Sequence, residues 1–172
     1  SKAIRMGEIP AINEFSKMEW KSASGDDVDL ESIVRICSRF VNKGAKLFIG
    51  TDSFAASHKI TFATVICVYG RGISSKYFFA RDYIPKNYFR TLPTRITEEV
   101  RRTVELAEFL RENYHIDPDR MELHLDISPF QAKKGTSKYA DMLKGYVAGA
   151  GFQCKVKPDA WASQTIADKH SK

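Results

Sequence analysis

Three strand-like stretches that follow one another with only short spacers constrain the fold of this chain more than any other feature. They are KLFIGT (46–51), KITFATVICVYG (59–70) and KYFFARDYI (76–84). The short spacers favour antiparallel neighbours, because a parallel crossover needs a dozen or more residues. The second stretch is rich in β-branched residues on both faces, which is typical of a strand covered on both sides. The sequence therefore predicts an antiparallel meander with a buried central strand.

Helical and strand-like segments alternate after the meander. The stretch from 94 to 114 carries apolar residues at helical spacing, with Thr94 or Thr97 as its candidate N-cap. Two further strands and two further helices are predicted, in chain order strand, helix, strand, helix, at 121–127, 137–151, 152–158 and 159–172, and the first of these helices ends at Gly149 or Gly151. The order β-β-β-α-β-α-β-α predicts an α/β fold whose five-stranded mixed sheet carries helices on both faces.

Residues 1–44 precede the predicted sheet. Residues 24–44 read as a helix, because Asp26 and Asp27 suit its positive N-terminal end and Gly44 suits its end. Residues 1–25 show no clear period. We therefore expect an N-terminal extension and helix over 1–44, packed on a domain that spans 45–172.

Composition and motifs exclude several classes of protein. No apolar run approaches the ~20 residues that a membrane span needs. The nucleotide-binding patterns G-x-G-x-x-G and G-x-x-x-x-G-K-[ST] follow none of the strands. Three cysteines without C-x-x-C spacing indicate buried thiols in a reducing cytoplasm. The net charge of +6 is compatible with a polyanionic partner such as nucleic acid.

Three aspartates lie where predicted strands end. Asp52 ends the first strand, Asp126 ends the fourth, and Asp159 opens the last helix directly after the fifth. The first and fourth strands can be parallel neighbours, and ligand sites in open α/β sheets form outside the carboxyl ends of such strands. Asp168 lies roughly 180° from Asp159 around the closing helix, so only one of these two can face the site. We expect Asp52, Asp126 and Asp159 to meet at one edge of the sheet.

The crossover helix offers a fourth acid. At ~100° per residue, Glu99 falls about 60° from the centre of the apolar stripe. Glu98 and Glu105 fall on the opposite side, which the periodicity assigns to solvent. Glu99 is therefore the glutamate that we expect to reach inward.

Carboxylates that converge in this way repel one another unless a cation lies among them. Oxygen ligands with few histidines suit Mg²⁺ or Mn²⁺. Two such ions ~4 Å apart can activate water and stabilise the leaving oxygen of a phosphodiester. The candidate catalytic and metal-binding residues are Asp52, Glu99, Asp126 and Asp159, and Asp52 is expected to bridge both ions. The candidate substrate contacts are Ser53, Lys133, Lys134 and Lys157.

Each candidate also has a purely structural interpretation. Asp52 and Asp126 could simply end a strand or begin a turn, and Asp159 after Pro158 is a good helix N-cap. His124 shares a strand face with Asp126, and a satisfied structural histidine is a commoner outcome there than a metal ligand. Placement of three acids at one edge favours the metal site.

The order of elements and acids resembles the ribonuclease H-like fold. More specifically, IGTDS (49–53), HLDI (124–127) and KPDAW (157–161), with the final ADKHSK (167–172), resemble the YkuK-like family of predicted RNase H-related proteins. The resemblance covers about residues 45–172. It implies a metal-dependent phosphodiester nuclease with the four acids as metal ligands and nucleic acid as substrate. Because fold alone does not fix function, the alternative is a non-catalytic nucleic-acid-binding or scaffold module that retains the fold.

Overall fold

The computed structural model of the chain describes residues 12–127 and 137–156. The described strands are β1 (Trp20–Ser22), β2 (Asp27–Val28), β3 (Lys46–Ala55), β4 (Lys59–Gly70), β5 (Ile73–Pro85), β6 (Met121–Leu125) and β7 (Gln153–Val156). The described α-helices are α1 (Leu30–Val41), α2 (Leu92–Tyr114) and α3 (Ser137–Gly149). Short 3₁₀ turns lie at Ile12–Lys17, Lys86–Tyr88 and Pro118–Arg120.

These strands form one mixed sheet in the order β2-β1-β5-β4-β3-β6-β7. β3, β4 and β5 are antiparallel neighbours, which confirms the predicted meander. β6 pairs in parallel with β3 on one side and with β7 on the other. The strands that lead to Asp52 and Asp126 are therefore parallel neighbours, as expected.

The sheet contains two strands beyond the five that were predicted. Residues 20–28, which the sequence suggested to be featureless or helical, form β1 and β2, and β1 pairs antiparallel with β5. The helix that was expected from residue 24 consequently begins at Leu30. Its N-cap is Asp29, whose carboxylate accepts a hydrogen bond from the backbone N–H of Ser32 at 2.7 Å. The two acids predicted at the helix start instead lie before it, because Gly25, at φ 92°, turns the chain between β1 and β2.

All three described helices pack against one face of the sheet. Their apolar side chains share a single core with alternate residues of β3, including Leu47 and Ile49. The intervening side chain, Phe48, points to the other face and belongs to a smaller cluster with Val65, Cys67 and Phe79. The prediction of helices on both faces is thus met on one face by the described helices, and the helix predicted at 159–172 lies outside the described residues.

α2 begins two residues before its predicted start. Thr91 is the N-cap, and its hydroxyl accepts from the backbone N–H of Thr94, whose own hydroxyl accepts from the N–H of Thr91. Thr97 instead donates to the carbonyl of Pro93 from inside the helix. Thr94 and Thr97 are therefore wrong as N-caps, because Pro93 fits the first turn of a helix and so allows an earlier start. None of the described helices is both long and apolar enough to span a bilayer.

Candidate metal centre

The register of β3 and β6 explains why two distant aspartates lie side by side. The last paired residues of these parallel strands are Gly50 and His124. Asp52 and Asp126 each follow two residues later, so they are level with each other just beyond the paired region. β3 itself continues to Ala55 because β4 keeps pairing with it, so Asp52 lies within its strand and not at the strand end that was predicted.

Glu99 reaches this point from α2. Side chains alternate along β3, so Ser53 faces the helices while Asp52 faces away. The Ser53 hydroxyl donates to Glu99 Oε2 at 2.5 Å. One turn further along α2, the Thr103 hydroxyl lies 3.0 Å from that of Thr51. These two contacts fix the first turns of α2 against β3 and aim Glu99 at the open end of the β3–β6 pair.

The three carboxylates form a tight cluster. One oxygen from each of Asp52, Glu99 and Asp126 lies within 4.8 Å of the others. The side chains of Asp52 and Glu99 are buried and that of Asp126 is half-buried. The structure therefore brings together three of the four predicted acids, and Asp159 lies outside the described residues.

The charge state of Glu99 is set by its surroundings. Burial raises its pKa to about 8, the negative charge of Asp126 acts in the same direction, and the hydrogen bond from Ser53 partly offsets both. Its second oxygen, Oε1, is buried and has no hydrogen-bond partner within residues 12–127 and 137–156. A buried carboxylate oxygen in this state is costly unless a cation or proton satisfies it. The donor set consequently fits a hard divalent cation.

The predicted substrate contacts have separate outcomes. The Ser53 hydroxyl is committed to Glu99, and its role as a substrate contact stays a prediction. Lys133, Lys134 and Lys157 lie outside the described part of the chain. Sequence reasoning missed the positioning contacts of Thr51 and Ser53 with α2. The available signal was that both residues flank Asp52 and so share the opposite face of β3.

Glu98 is buried at 2% exposure, and the prediction that it faces solvent is wrong. Its carboxylate accepts from Arg101 and from Arg102, each at 2.7 Å, and Arg102 continues to Asp82 of β5 at 2.6 Å. Glu105, assigned to the same solvent side, is half-buried and pairs with Arg101. That side of α2 is covered because its arginines bridge to neighbouring carboxylates, and the four-residue spacing of apolar side chains does not reveal such bridges.

His124 has the structural role that was favoured for it. Its Nε2 lies 3.0 Å from Glu122 Oε1, and its ring packs against that of Phe48 with 4.9 Å between centroids. Burial lowers its pKa, and the hydrogen bond to Glu122 acts in the opposite direction. The neutral ring is therefore part of the sheet face next to the carboxylate cluster.

Comparison with known proteins identifies one family. Residues 29–172 match the ribonuclease H-like family, a range that contains the three clustered acids and Asp159. No curated protein and no solved structure matched the chain significantly. The match agrees with the resemblance of its motifs to the YkuK-like proteins, and with a mixed sheet that gathers acids beside the parallel pair of β3 and β6. The chain belongs to the ribonuclease H-like family.

Proposed function

We propose that this protein is a divalent-metal-dependent nuclease that hydrolyses phosphodiester bonds of nucleic acid. The observation that carries the proposal is the cluster of Asp52, Glu99 and Asp126, whose oxygens lie within 4.8 Å of one another. Family membership and the net charge of +6 support nucleic acid as the partner. The free thiols of all three cysteines are consistent with a cytoplasmic location.

The clustered residues would hold Mg²⁺ or Mn²⁺, with Asp159 as the proposed fourth ligand and Asp52 shared between two ions. Carboxylate oxygens are the ligands that these hard cations prefer. When bound, the two ions supply Lewis acidity that activates water and stabilises the leaving oxygen of the phosphodiester.

The chain's own residues prepare this site in three ways. Asp52 and Asp126 supply negative charge from neighbouring strands, so their spacing is fixed by the sheet. Ser53 orients Glu99 through the hydrogen bond that its hydroxyl donates to Oε2. Burial of Asp52 and Glu99 limits competition from bulk water, which strengthens their attraction for a cation.

Cleavage of labelled RNA, DNA and hybrid oligonucleotides, with Mg²⁺, Mn²⁺ or EDTA present, tests the proposal. We expect metal-dependent cleavage that falls by roughly 100-fold or more in Asp52→Asn and in Asp126→Asn, since each loss removes several kcal/mol of transition-state stabilisation. Asp141→Asn is the matched control, because Asp141 is an exposed carboxylate on α3. Its cleavage rate should equal that of the unaltered protein.

Equal cleavage by the unaltered protein and both site variants would exclude these roles. The alternative, a non-catalytic module, predicts salt-sensitive binding of nucleic acid that both substitutions leave unchanged. It also predicts no cleavage with any metal. Thermal unfolding provides an independent readout of the metal. Mg²⁺ or Mn²⁺ at a hundred times its Kd should add roughly 2.7 kcal/mol of stability to a protein with a genuine site.

A further inference from the structure

The sheet face that carries Asp52 continues into an exposed surface on β3, β4 and β5. Residues directly opposite each other in antiparallel strands share a face. Two rows of side chains therefore cross the three strands here, Asp52–Ala63–Arg81 and Phe54–Thr61–Tyr83. Phe54 is two residues from Asp52 along β3, a separation of ~7 Å. The second row thus lies directly beside a candidate metal ligand.

Two large aromatic rings and two cations are exposed on this surface. Phe54 is 40% exposed and Tyr83 is 51% exposed, and Phe54 lies in a strand whose other residues are largely buried. Lys59 and Arg81 are exposed as well, and Lys59 Nζ lies 4.3 Å from the centroid of the Tyr83 ring. We refer to Phe54, Lys59, Arg81 and Tyr83 as the aromatic–basic patch.

We propose that the aromatic–basic patch binds an unpaired stretch of the nucleic-acid strand that enters the metal centre. Its rings offer stacking surfaces that accept any base, and its cations match the phosphate charge. Bases inside a duplex are already stacked on one another, so they cannot use such rings. Single-stranded nucleic acid is therefore favoured over duplex. The inference rests on the proposed function only in placing substrate beside Asp52.

Binding measured without turnover tests this directly. Fluorescence anisotropy with the Asp52→Asn protein in EDTA compares a labelled single strand with a hairpin duplex of the same length. We expect tighter binding of the single strand. Phe54→Ala and Tyr83→Ala should each weaken it by roughly five- to 100-fold, the range expected for loss of one stacked base. Phe54→Tyr and Tyr83→Phe keep the rings and should bind normally.

Tyr69 provides a matched aromatic control. It is also 51% exposed and lies on the same face of β4, but at the far end of the strand, eight residues or ~27 Å from Thr61. Tyr69→Ala should leave single-strand affinity unchanged. Circular dichroism melting of every variant checks that the exposed substitutions leave the fold intact.

The cations have their own readout in the salt dependence of binding. Lys59→Gln and Arg81→Gln should each reduce the slope of log affinity against log salt by about 0.7 for a single strand. Lys43→Gln changes an exposed lysine at the end of α1 and should leave the slope unaltered.

The following results would overturn the patch assignment. One is single-strand affinity of the alanine variants of Phe54 and Tyr83 that equals that of Tyr69→Ala. Another is duplex affinity that equals or exceeds single-strand affinity. A third is that neither oligonucleotide binds at low salt. A change in sedimentation of Tyr83→Ala with unaltered oligonucleotide affinity would identify a protein occupant instead, including a second copy of this chain. If the patch variants lose single-strand binding and the unaltered protein cleaves nothing, the patch assignment stands and the proposed nuclease function is rejected. If the patch variants cleave and bind normally, the nuclease function stands and the patch assignment is rejected.

Discussion

At the scale of single residues, the hydroxyl of Ser53 holds the carboxylate of Glu99, which α2 contributes to the candidate metal centre. It donates to Glu99 Oε2 and leaves Oε1 buried, with no hydrogen-bond partner in the part of the chain that the structure describes. A side chain that orients a metal ligand in this way tunes the affinity of the site without touching the metal. Ser53 therefore matters as a positioning residue in addition to its predicted place at the substrate.

Replacing Ser53 isolates this effect. We expect Ser53→Ala to lower Mn²⁺ affinity by roughly ten- to 100-fold, because the orienting hydrogen bond to Glu99 is lost. Isothermal titration calorimetry measures the affinity directly. Ser53→Thr retains the hydroxyl and is the matched control. Equal affinities of the alanine and threonine variants would show that Ser53 does not orient Glu99.

Glu99 makes the stability of the metal-free protein depend on pH. Its pKa rises from an ordinary 4.5 to about 8 in the fold, so the folded protein keeps a proton there that the unfolded chain has lost. Stability from this group is complete below pH 4.5 and falls as pH rises through about 8. We expect the melting temperature in EDTA to decrease over this interval, and Glu99→Gln to flatten the decrease. An unchanged pH profile in Glu99→Gln would contradict the assignment.

The same proton links pH to metal binding. A cation that binds Glu99 must displace it, so affinity should increase with pH up to about 8. Glu99→Gln should bind more weakly but with less dependence on pH. Calorimetry at several pH values, in buffers of different ionisation enthalpy, counts the released protons.

Sequence reasoning predicted the clustered residues because each follows a local rule. Asp52 and Asp126 come just after the residues through which β3 and β6 pair in parallel, and the helical angle of Glu99 directs it inward. Glu98 could not be predicted in the same way. Its burial depends on Arg102 and on Asp82 of β5, and the bridge between two elements has no periodic signal in either.

At the scale of secondary-structure elements, the main feature is how α2 is held against the sheet. Arg102 is 4% exposed, connects Glu98 to Asp82, and places its guanidinium 4.4 Å from the centroid of Phe62. Its position in the first half of α2 means that this ionic bridge and the Ser53 contact support the same turns. α2 is therefore fixed on two sides where it carries Glu99.

Breaking the bridge should destabilise the fold. Arg102→Leu leaves Glu98 buried with one fewer partner. We therefore expect the free energy of unfolding, measured by urea denaturation, to decrease by about 3 kcal/mol. Arg35→Leu is the control, because Arg35 and Glu31 form an exposed pair with 3.9 Å between their charged atoms. That change should cost less than about 1 kcal/mol. Equal small losses in both variants would show that the buried bridge contributes little.

The sequence did not predict where β3 ends or that β1 and β2 exist, because each of these depends on pairing with another strand. Thr51-Asp52-Ser53 resembles a strand end, yet β3 continues to Ala55 because β4 provides partners on its far side. β1 and β2 contain three and two residues, too few to show any alternation. Both are defined by pairing, β1 with the distant β5 and β2 with β1, so no local pattern could reveal them.

At the scale of the whole molecule, the feature of interest is the segment that precedes the residues matched by the family. The family match starts at residue 29, but Phe15 and Trp20 are buried in the same core as α1 and α2. The Trp20 indole N–H donates to the carbonyl of Phe15 at 2.9 Å, and β1 extends the sheet beyond β5. Residues 12–44, the described part of the predicted extension, thus contribute strand, helix and core to the same unit as the rest of the sheet.

Trp20 tests that contribution. It is 1% exposed, and we expect Trp20→Ala to lower the free energy of unfolding by about 3–5 kcal/mol. Leu92→Ala, at a residue that is 49% exposed, should change it by less than about 1 kcal/mol. A single urea transition reported by fluorescence and circular dichroism would accompany this loss. Unchanged stability of Trp20→Ala would mean that the N-terminal segment is independent of the domain.

The separation of the clustered acids along the chain has a consequence for protein synthesis. Asp52 and Glu99 are translated before β6 and Asp126, and β6 must insert beside β3 before the three oxygens can meet. A ribosome-bound chain that ends at α2 therefore lacks a complete set of acids. On the proposed function, the protein cannot cut nucleic acid, its own messenger RNA included, until β6 and the proposed fourth ligand Asp159 have been made.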